Sequence, residues 1–307
     1  QEADLFAQLS IAENMLLAVK SEELSEEEYI FQYNNAPDFM DRLEALQALN
    51  NSGSEAAMEM LEKALQDDFY ALRGYALSKV DPAKEENAKI MADLAVNDPH
   101  SAVRNEALGA LASLEDAQYA DAFAKAIEND KSYDVVAAGL RALYAVDQEQ
   151  ALAYAKKMED SDNGSILTAV SEIYAESDDV AANRGFYEAK WNEVDGFNAM
   201  NFFESYSALV SKGDVETILD AAEILKKVAT ADDQSIWRKL SATRTINGLH
   251  AELFTRYEDA EEGEAKDKID EADAQLLKML TDIKQQEKDM QLNQYYNNNF
   301  PNPAPRP

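Results

Sequence analysis

Apolar residues recur along this chain at intervals of three and four. Met58, Leu61, Ala64 and Leu65 fall on one helical face, as do Phe123, Ala126 and Ile127. A stripe with that period is what an amphipathic helix buries. Runs of β-branched residues are few, and 10 Gly and 7 Pro in 307 residues leave the helix breakers far apart. The pattern predicts an all-α fold.

A longer period overlies the short one. An Arg-x-x-Ala-Leu segment appears at Arg42–Leu46, Arg73–Leu77 and Arg104–Leu108, in two steps of 31 residues. A fourth copy is one residue longer, with Val136 in the Arg place and Gly139-Leu140 after it, and a weaker fifth runs Ile166–Val170. Each copy is followed by a polar break and a second amphipathic stretch, at 54–67, 84–96, 116–129, 147–159 and 179–193. The breaks Val80-Asp81-Pro82 and Asn97-Asp98-Pro99 read as helix starts, with Asp capping free backbone N–H groups and Pro in the first turn. The small residues Ala45, Ala76, Ala107 and Gly139 would let neighbouring helices approach closely. Two helices per unit of about 31 residues, with Asp before and Arg-x-x-Ala-Leu within, resemble the HEAT repeat. That resemblance implies an α-solenoid of helix pairs, a right-handed α-α superhelix.

Past residue 196 the period fades but the helical pattern does not. Helices are expected at 197–210, 215–229, 234–257 and 266–292, the last two parted by the acidic tract Glu258–Glu264. The stretch from Tyr295 to Pro307 carries four prolines in its last seven residues and reads as non-helical. It is expected to lie extended on the solenoid through Tyr295, Tyr296 and Phe300. The resulting division is a lead-in at 1–35, HEAT-like repeats at 36–195, completing helices at 196–292 and a Pro/Asn-rich tail at 293–307.

Charge narrows the possible functions. There are 60 acidic against 28 basic residues, a net charge of -32. This excludes a generic nucleic-acid binder, which needs clustered Lys and Arg against phosphate, and disfavours adsorption to anionic lipid. No apolar run reaches the length of a membrane helix, so no membrane insertion is expected. The start, with Glu2, Asp4 and Glu13 and no basic run, does not read as a signal peptide. Gln1 in place of Met is read as a processed or cut start, with something expected upstream.

The chemistry-bearing residues are sparse. Cysteine is absent, and His100 and His250 are the two histidines, so thiolate chemistry and a Cys- or His-rich zinc site are excluded. His250-Ala-Glu252-Leu-Phe254 lacks both the adjacent Glu and the second His that a helix-borne zinc motif requires. Asp160-Ser-Asp162-Asn-Gly164 begins like a calcium loop, but Ser171 stands where the bidentate Glu belongs, and an inter-helix turn is the better reading. No catalytic or metal motif is found, and no cofactor is assigned to this chain.

Two groups of cations remain. Arg42, Arg73 and Arg104 form a ladder that either grips acidic groups of a ligand or ties repeats together through Asp41, Asp67, Asp68 and Asp98. The second reading is taken, because repeats use such residues to fix their stacking. Between Lys226 and Arg256 lie six cations and three acids, with Trp237 embedded among them. Trp237, Arg238 and Arg244 are the candidate patch for a peptide or acidic partner. Balance against the neighbouring Glu258–Glu264 tract is the competing explanation.

Residues 24–50, with Gln32-Tyr33, Ala36-Pro37 and Asp41-Arg42-Leu-Glu44-Ala45-Leu46, resemble the start of the C-terminal helical domain of aminopeptidase N-like zinc metallopeptidases, in particular the large bacterial members. The stretch Asn14–Lys20 would then be the exit from a β-domain, extended instead of helical. The resemblance implies a non-catalytic HEAT-like domain that covers the catalytic cleft and shapes peptide access. Its partners would be the catalytic and β-domains of the parent chain and peptides. Zinc is expected in that separate catalytic domain, because the family's His-Glu-x-x-His and Gly-x-Met-Glu-Asn segments are absent here. The bacterial relatives imply export, to the periplasm or cell surface. The alternative is a free-standing HEAT-repeat scaffold for protein–protein interaction, and an autonomous enzyme of unfamiliar chemistry is the remotest reading.

Overall fold

The computed structural model describes residues 24–301. Among the described residues there are sixteen α-helices and two short 3-10 turns, and no strand. The fold is all-α, and its helices stack in pairs as those of an α-solenoid do. The expectation of an extended segment at Asn14–Lys20 lies outside the described residues.

The chain divides into two compact units, with the boundary between Leu114 and Glu115. The first holds α1 (Glu26–Asn35), α2 (Phe39–Ser52), α3 (Glu55–Ala64), α4 (Tyr70–Leu77), α5 (Glu85–Asn97) and α6 (Ser101–Ala112). Here α2, α4 and α6 carry the repeated Arg-x-x-Ala-Leu and pack in sequence, α2 on α4 and α4 on α6. Ala45, Ala76 and Ala107 are fully buried, so the small residues sit where helices meet.

The second unit holds α7 (Ala120–Asn129), α8 (Tyr133–Val146), α9 (Gln148–Met158), α10 (Gly164–Ala175), α11 (Val180–Lys190), α12 (Gly196–Val210), α13 (Val215–Thr230), α14 (Ile236–Asp259), α15 (Glu264–Gln286) and α16 (Met290–Asn299). Within it α8, α10, α12 and α14 lie side by side, and α7, α9, α11, α13 and α15 pack against that row. An aromatic cluster of Tyr187, Phe202, Phe203 and Tyr206 fills the space between α11 and α12. The buried Tyr187 hydroxyl is spent on the Ser171 carbonyl of α10.

The second helix of each pair starts and stops close to where the apolar period places it. Local chemistry fixes the starts: Ser25 and Glu28 form a reciprocal capping box, and Asp147, Asp179 and Asp214 each accept a backbone N–H of the helix that follows.

Two sequence expectations are corrected. Asp81-Pro82 and Asp98-Pro99 are not cap and first-turn proline. Asp81 Oδ1 accepts from the Ala83 N–H at 2.9 Å and Asp98 Oδ1 from the His100 N–H at 2.8 Å, each closing a turn ahead of the helix. Asp98, the residue before a proline, is extended at φ −60° and ψ 135°, and α6 begins only at Ser101, two residues past Pro99. The second correction concerns the C-terminal stretch, which is helical through Asn299. The chain breaks after Gln286, Asp289 caps a new helix through the Gln291 and Leu292 N–H groups, and α16 runs on until Phe300, the residue before Pro301. Prolines bar helix at their own positions and disfavour it at the residue just before, here the extended Phe300, so the five residues from Tyr295 to Asn299 remained free to form helix. Tyr296 and Phe300 are buried while Tyr295 stays exposed.

Candidate functional site

The ladder arginines point into the first unit. Arg42 Nη2 lies 3.1 Å from Asp67 Oδ1. Arg73 meets Asp98 through Nε at 2.6 Å and Nη2 at 2.8 Å, and Nη1 donates to the Asp67 carbonyl at 2.7 Å. Arg104 Nη1 donates to the Asp98 carbonyl at 2.7 Å. For Arg42 and Arg73 the aspartate belongs to the turn that opens the next repeat helix. Asp67 Oδ1 and Asp98 Oδ1 also accept the N–H of Phe69 and His100. Each carboxylate thus bridges one repeat's arginine and the next helix's orphan donors.

The candidate patch on α14 separates into two parts. Arg238 donates through Nε to the Val194 carbonyl and through Nη2 to the Asn192 carbonyl, both at 2.7 Å. It fastens the start of α14 to the connection that leads into α12. Trp237 and Arg244 lie seven residues apart, and so on one face of α14. Arg244 is exposed and makes no hydrogen bond or ion pair among the described residues.

That face borders a groove of about 210 Å³ between α12 and α14. The two helices run parallel: Phe197 stands against Trp237 with ring centroids 5.9 Å apart, the Thr245 hydroxyl donates to the Phe203 carbonyl at 3.1 Å, and Gly248 faces Ser207. Phe197 is 76% exposed and Trp237 42%. The groove is lined by Met200, Phe203 and Ser241, by Glu204 and Arg244, and further along by Ser207 and Gly248. Phe197 and Trp237, its aromatic lip, precede Met200 and Ser241 by about one helical turn. The Ser241 hydroxyl is 3% exposed as a residue and has no hydrogen-bond partner. A buried hydroxyl without a partner carries a desolvation cost that a ligand's polar group could relieve.

Asp195 and Ser235, the caps of α12 and α14, hold the two helix starts together. The Ser235 hydroxyl donates to Asp195 Oδ1 at 2.7 Å while the same oxygen accepts the Gly196 N–H. Ser235's hydrogen bond holds the Asp195 carboxyl below the usual carboxylate range, with the Gly196 N–H and the nearby Arg238 charge acting in the same direction. The aromatic lip sits directly after these caps.

Three of the other cations of this stretch have local partners, while Lys227 is exposed and makes no ion pair among the described residues. Lys226 pairs with Asp282 at 2.5 Å, Lys239 with Glu287 at 3.8 Å, and Arg256 with Glu252 at 2.8 Å. In the acidic tract and at its end, Glu262 pairs with Lys266 and Glu264 with Lys268, not with these six. His250 Nδ1 contacts the buried Asp273 carboxylate of α15 and so joins two helices. Among the described residues no group of three His, Cys, Asp or Glu side chains could hold a metal ion. No described helix is long and apolar enough to cross a membrane.

Sequence reasoning did not find the α12 half of the groove. Phe197, Met200 and Glu204 carry no motif, and only the packing of α12 beside α14 gives them a common surface. The available signal was the 40-residue interval from Phe197 to Trp237, each an aromatic just inside a helix start, where earlier repeats are 31 or 32 residues long.

A family model of HEAT repeats matches residues 88–174, the span from α5 to α10. No curated protein matches the chain. Among solved structures the chain is similar to the Escherichia coli protein YibA, with 16% identity and a TM-score of 0.42 over 90% of this chain and 92% of that one. It is similar to human deoxyhypusine hydroxylase at 16% identity and a TM-score of 0.34, covering 83% and 95%. A third similarity is to Legionella pneumophila aminopeptidase A, at 11% identity and a TM-score of 0.39 over 90% of this chain. The chain spans 38% of that enzyme's length.

Proposed function

We propose that this chain is a non-catalytic helical-repeat module that binds peptide or protein segments in the groove between α12 and α14. The observation that carries the reading is the exposed Phe197–Trp237 pair about one helical turn before a groove lined by Arg244, which is exposed and unpaired. Aromatic and arginine side chains are the usual anchors of recognition surfaces. An apolar side chain would sit against Trp237 while a carboxylate meets the Arg244 guanidinium. The test is binding of a library of short peptides, read by fluorescence polarisation, to the unaltered chain and to Trp237→Ala and Arg244→Ala. Loss of the same peptides in both variants supports the reading, and unchanged binding in both defeats it.

A narrower reading makes the module the domain of a zinc aminopeptidase that covers the cleft and shapes peptide access. Its support is the 24–50 segment and the apolar side chains exposed at that end. Phe31 is 68% exposed and lines one depression with Leu24, which suits a docking face for another domain. Yet Gln32, Tyr33 and Arg42 also have local tasks in the first unit. Gln32 donates to the Asp41 carbonyl at 2.7 Å, and the Tyr33 hydroxyl donates to Asp67 at 3.2 Å. An immunoblot of the native protein separates the readings. A band far above 34.1 kDa that copurifies with aminopeptidase activity supports the narrower one, and a band at that mass leaves a free-standing scaffold.

A further inference from the structure

The row of helices that carries Arg-x-x-Ala-Leu begins at α2, and α1 stands before it. One side of α1 is engaged within the first unit: the Tyr33 hydroxyl reaches Asp67, and Asn34 reaches Met60 and Lys63 of α3. The opposite side is open. Glu28, Phe31 and Asn35 share that face, Leu24 lies just ahead of it, and all four are exposed. Together with Gln32 and Ala36 they line a depression. Gln32 donates to the Asp41 carbonyl, so the depression reaches the first turn of α2, where Met40 is also exposed. A solenoid needs a polar face at its end, and Leu24, Phe31 and Met40 are apolar.

The chain ahead of Leu24 has the composition to cover this face. Leu5, Leu9, Ala12, Leu16 and Val19 recur at alternating intervals of four and three, the stripe of an amphipathic helix. Met15, Leu16 and Val19 also stand 30 residues before Ala45, Leu46 and Leu49, the buried residues of α2. That offset is close to the repeat length of the first unit. Lys20, Ser21, Glu22 and Glu23 separate the stripe from Leu24, a usual length for a turn between antiparallel helices. Lys20 is the one cation among residues 1–23, and the first turn of α1 is acidic at Glu26, Glu27 and Glu28.

We propose that residues 5–19 occupy this depression as a helix antiparallel to α1, in place of the extended exit expected at Asn14–Lys20. The segment is the first helix of a repeat whose second helix is α1, and it closes the open end of the first unit. Leu16 and Val19 lie over Leu24, Leu9 and Ala12 lie over Phe31, and Lys20 meets the acidic first turn of α1. A link of four residues holds the segment beside the face at an effective concentration that a separate partner does not reach. A second copy would bring a net charge of -32 against the same charge. The proposal stands apart from the groove between α12 and α14, and it gives the depression an occupant other than a second domain.

The test is amide hydrogen exchange of the full chain, read by mass spectrometry on fragments covering residues 5–19. These amides should be protected, equally at low and high protein concentration. Phe31→Asp should speed their exchange by about tenfold or more, the scale of one phenyl ring returned to water. Leu16→Asp should act in the same direction, and Phe31→Leu should keep the protection. Ala12→Pro should abolish it, because a helix cannot carry proline in its middle. Fragments of α2 and α4 in the same spectra report whether the unit itself stays folded in each variant. Absence of protection in the unaltered chain overturns the proposal and leaves the face open to another domain. Protection that survives Phe31→Asp places the segment elsewhere, and protection that survives Ala12→Pro makes it extended, so either result overturns the proposal. Protection that grows with protein concentration assigns the face to a second copy and overturns it as well.

Discussion

Arg73 and Asp98 meet in a two-point ion pair between consecutive repeats, with nitrogen–oxygen distances of 2.6 and 2.8 Å, and both side chains are buried. Every strong donor and acceptor of the pair is occupied, since Arg73 also holds the Asp67 carbonyl and Asp98 also receives the His100 N–H. Removing either member leaves a buried charge without its partner. Asp98→Ala should therefore destabilise the chain by about 3–5 kcal/mol. Urea unfolding followed by circular dichroism measures this. A loss below 1 kcal/mol would mean that the pair is merely tolerated. Arg42→Ala should cost less, because its pair with Asp67 is single-contact and more open to solvent.

The helical glycines separate close packing from open surface. A Cβ on Gly139 would lie 3.2 Å from Ala126 Cβ, Ile127 Cγ1 and the Phe123 carbonyl oxygen of α7, whereas Cβ atoms on Gly74 and Gly109 would meet nothing within 4 Å. Alanine at Gly74 or Gly109 should stabilise by about 0.5–1 kcal/mol through backbone entropy alone. Gly139→Val should instead cost about 1–3 kcal/mol, the usual range for overpacking. Thermal melts of the three variants should move in opposite directions, and a neutral Gly139→Val would show that α7 and α8 can part cheaply.

The fold was legible because its signals are local or periodic. Arg42, Arg73 and Arg104 fall at a fixed interval, and caps such as Asp147 and Asp214 mark helix starts within a few residues. What escaped is what depends on tertiary placement. Arg238 and Arg244 look alike in sequence, yet one is spent on the carbonyls of Asn192 and Val194 while the other stays free. The rings of Phe39, Phe69, Tyr70 and His100 likewise meet only when helix starts are brought side by side. Apolar period fixes which face a helix buries, but not which side chains of the next repeat stand opposite it.

Acid should act on the groove through its helix caps. The Ser235 hydrogen bond lowers the Asp195 carboxyl in the folded chain, so the folded state binds that proton less readily than the unfolded one. The stabilisation from this group is present above the unfolded value of about 3.9 and is lost as pH falls through the lower folded value. Ser235→Ala should shift the Asp195 titration upward, toward that reference value. NMR titration of the carboxyl carbon reads this directly, and an unmoved midpoint would place the cause elsewhere. In the same experiment the Trp237 indole signal should follow the Asp195 titration, since the aromatic lip is held by these caps.

The last helix is part of the second unit's core, not an appendage. Tyr296 is fully buried, and its ring lies 5.5 Å from that of the buried Phe300. Lys284 closes the end of the helix by donating to the Phe300 and Pro301 carbonyls, each at 2.8 Å. Tyr296→Ala removes a large ring from a site with no solvent to refill it, and should cost about 3–5 kcal/mol. Tyr296→Phe should cost far less. The Tyr296 hydroxyl lies 3.2 Å from Thr243 Oγ1, and that oxygen already donates to the Lys239 carbonyl at 2.7 Å, so no donor is orphaned by its loss. Equal destabilisation by both substitutions would move the energy from the ring to the hydroxyl. Negligible destabilisation by both would return the stretch from Tyr295 to Phe300 to the role of a tail lying loosely on the helices.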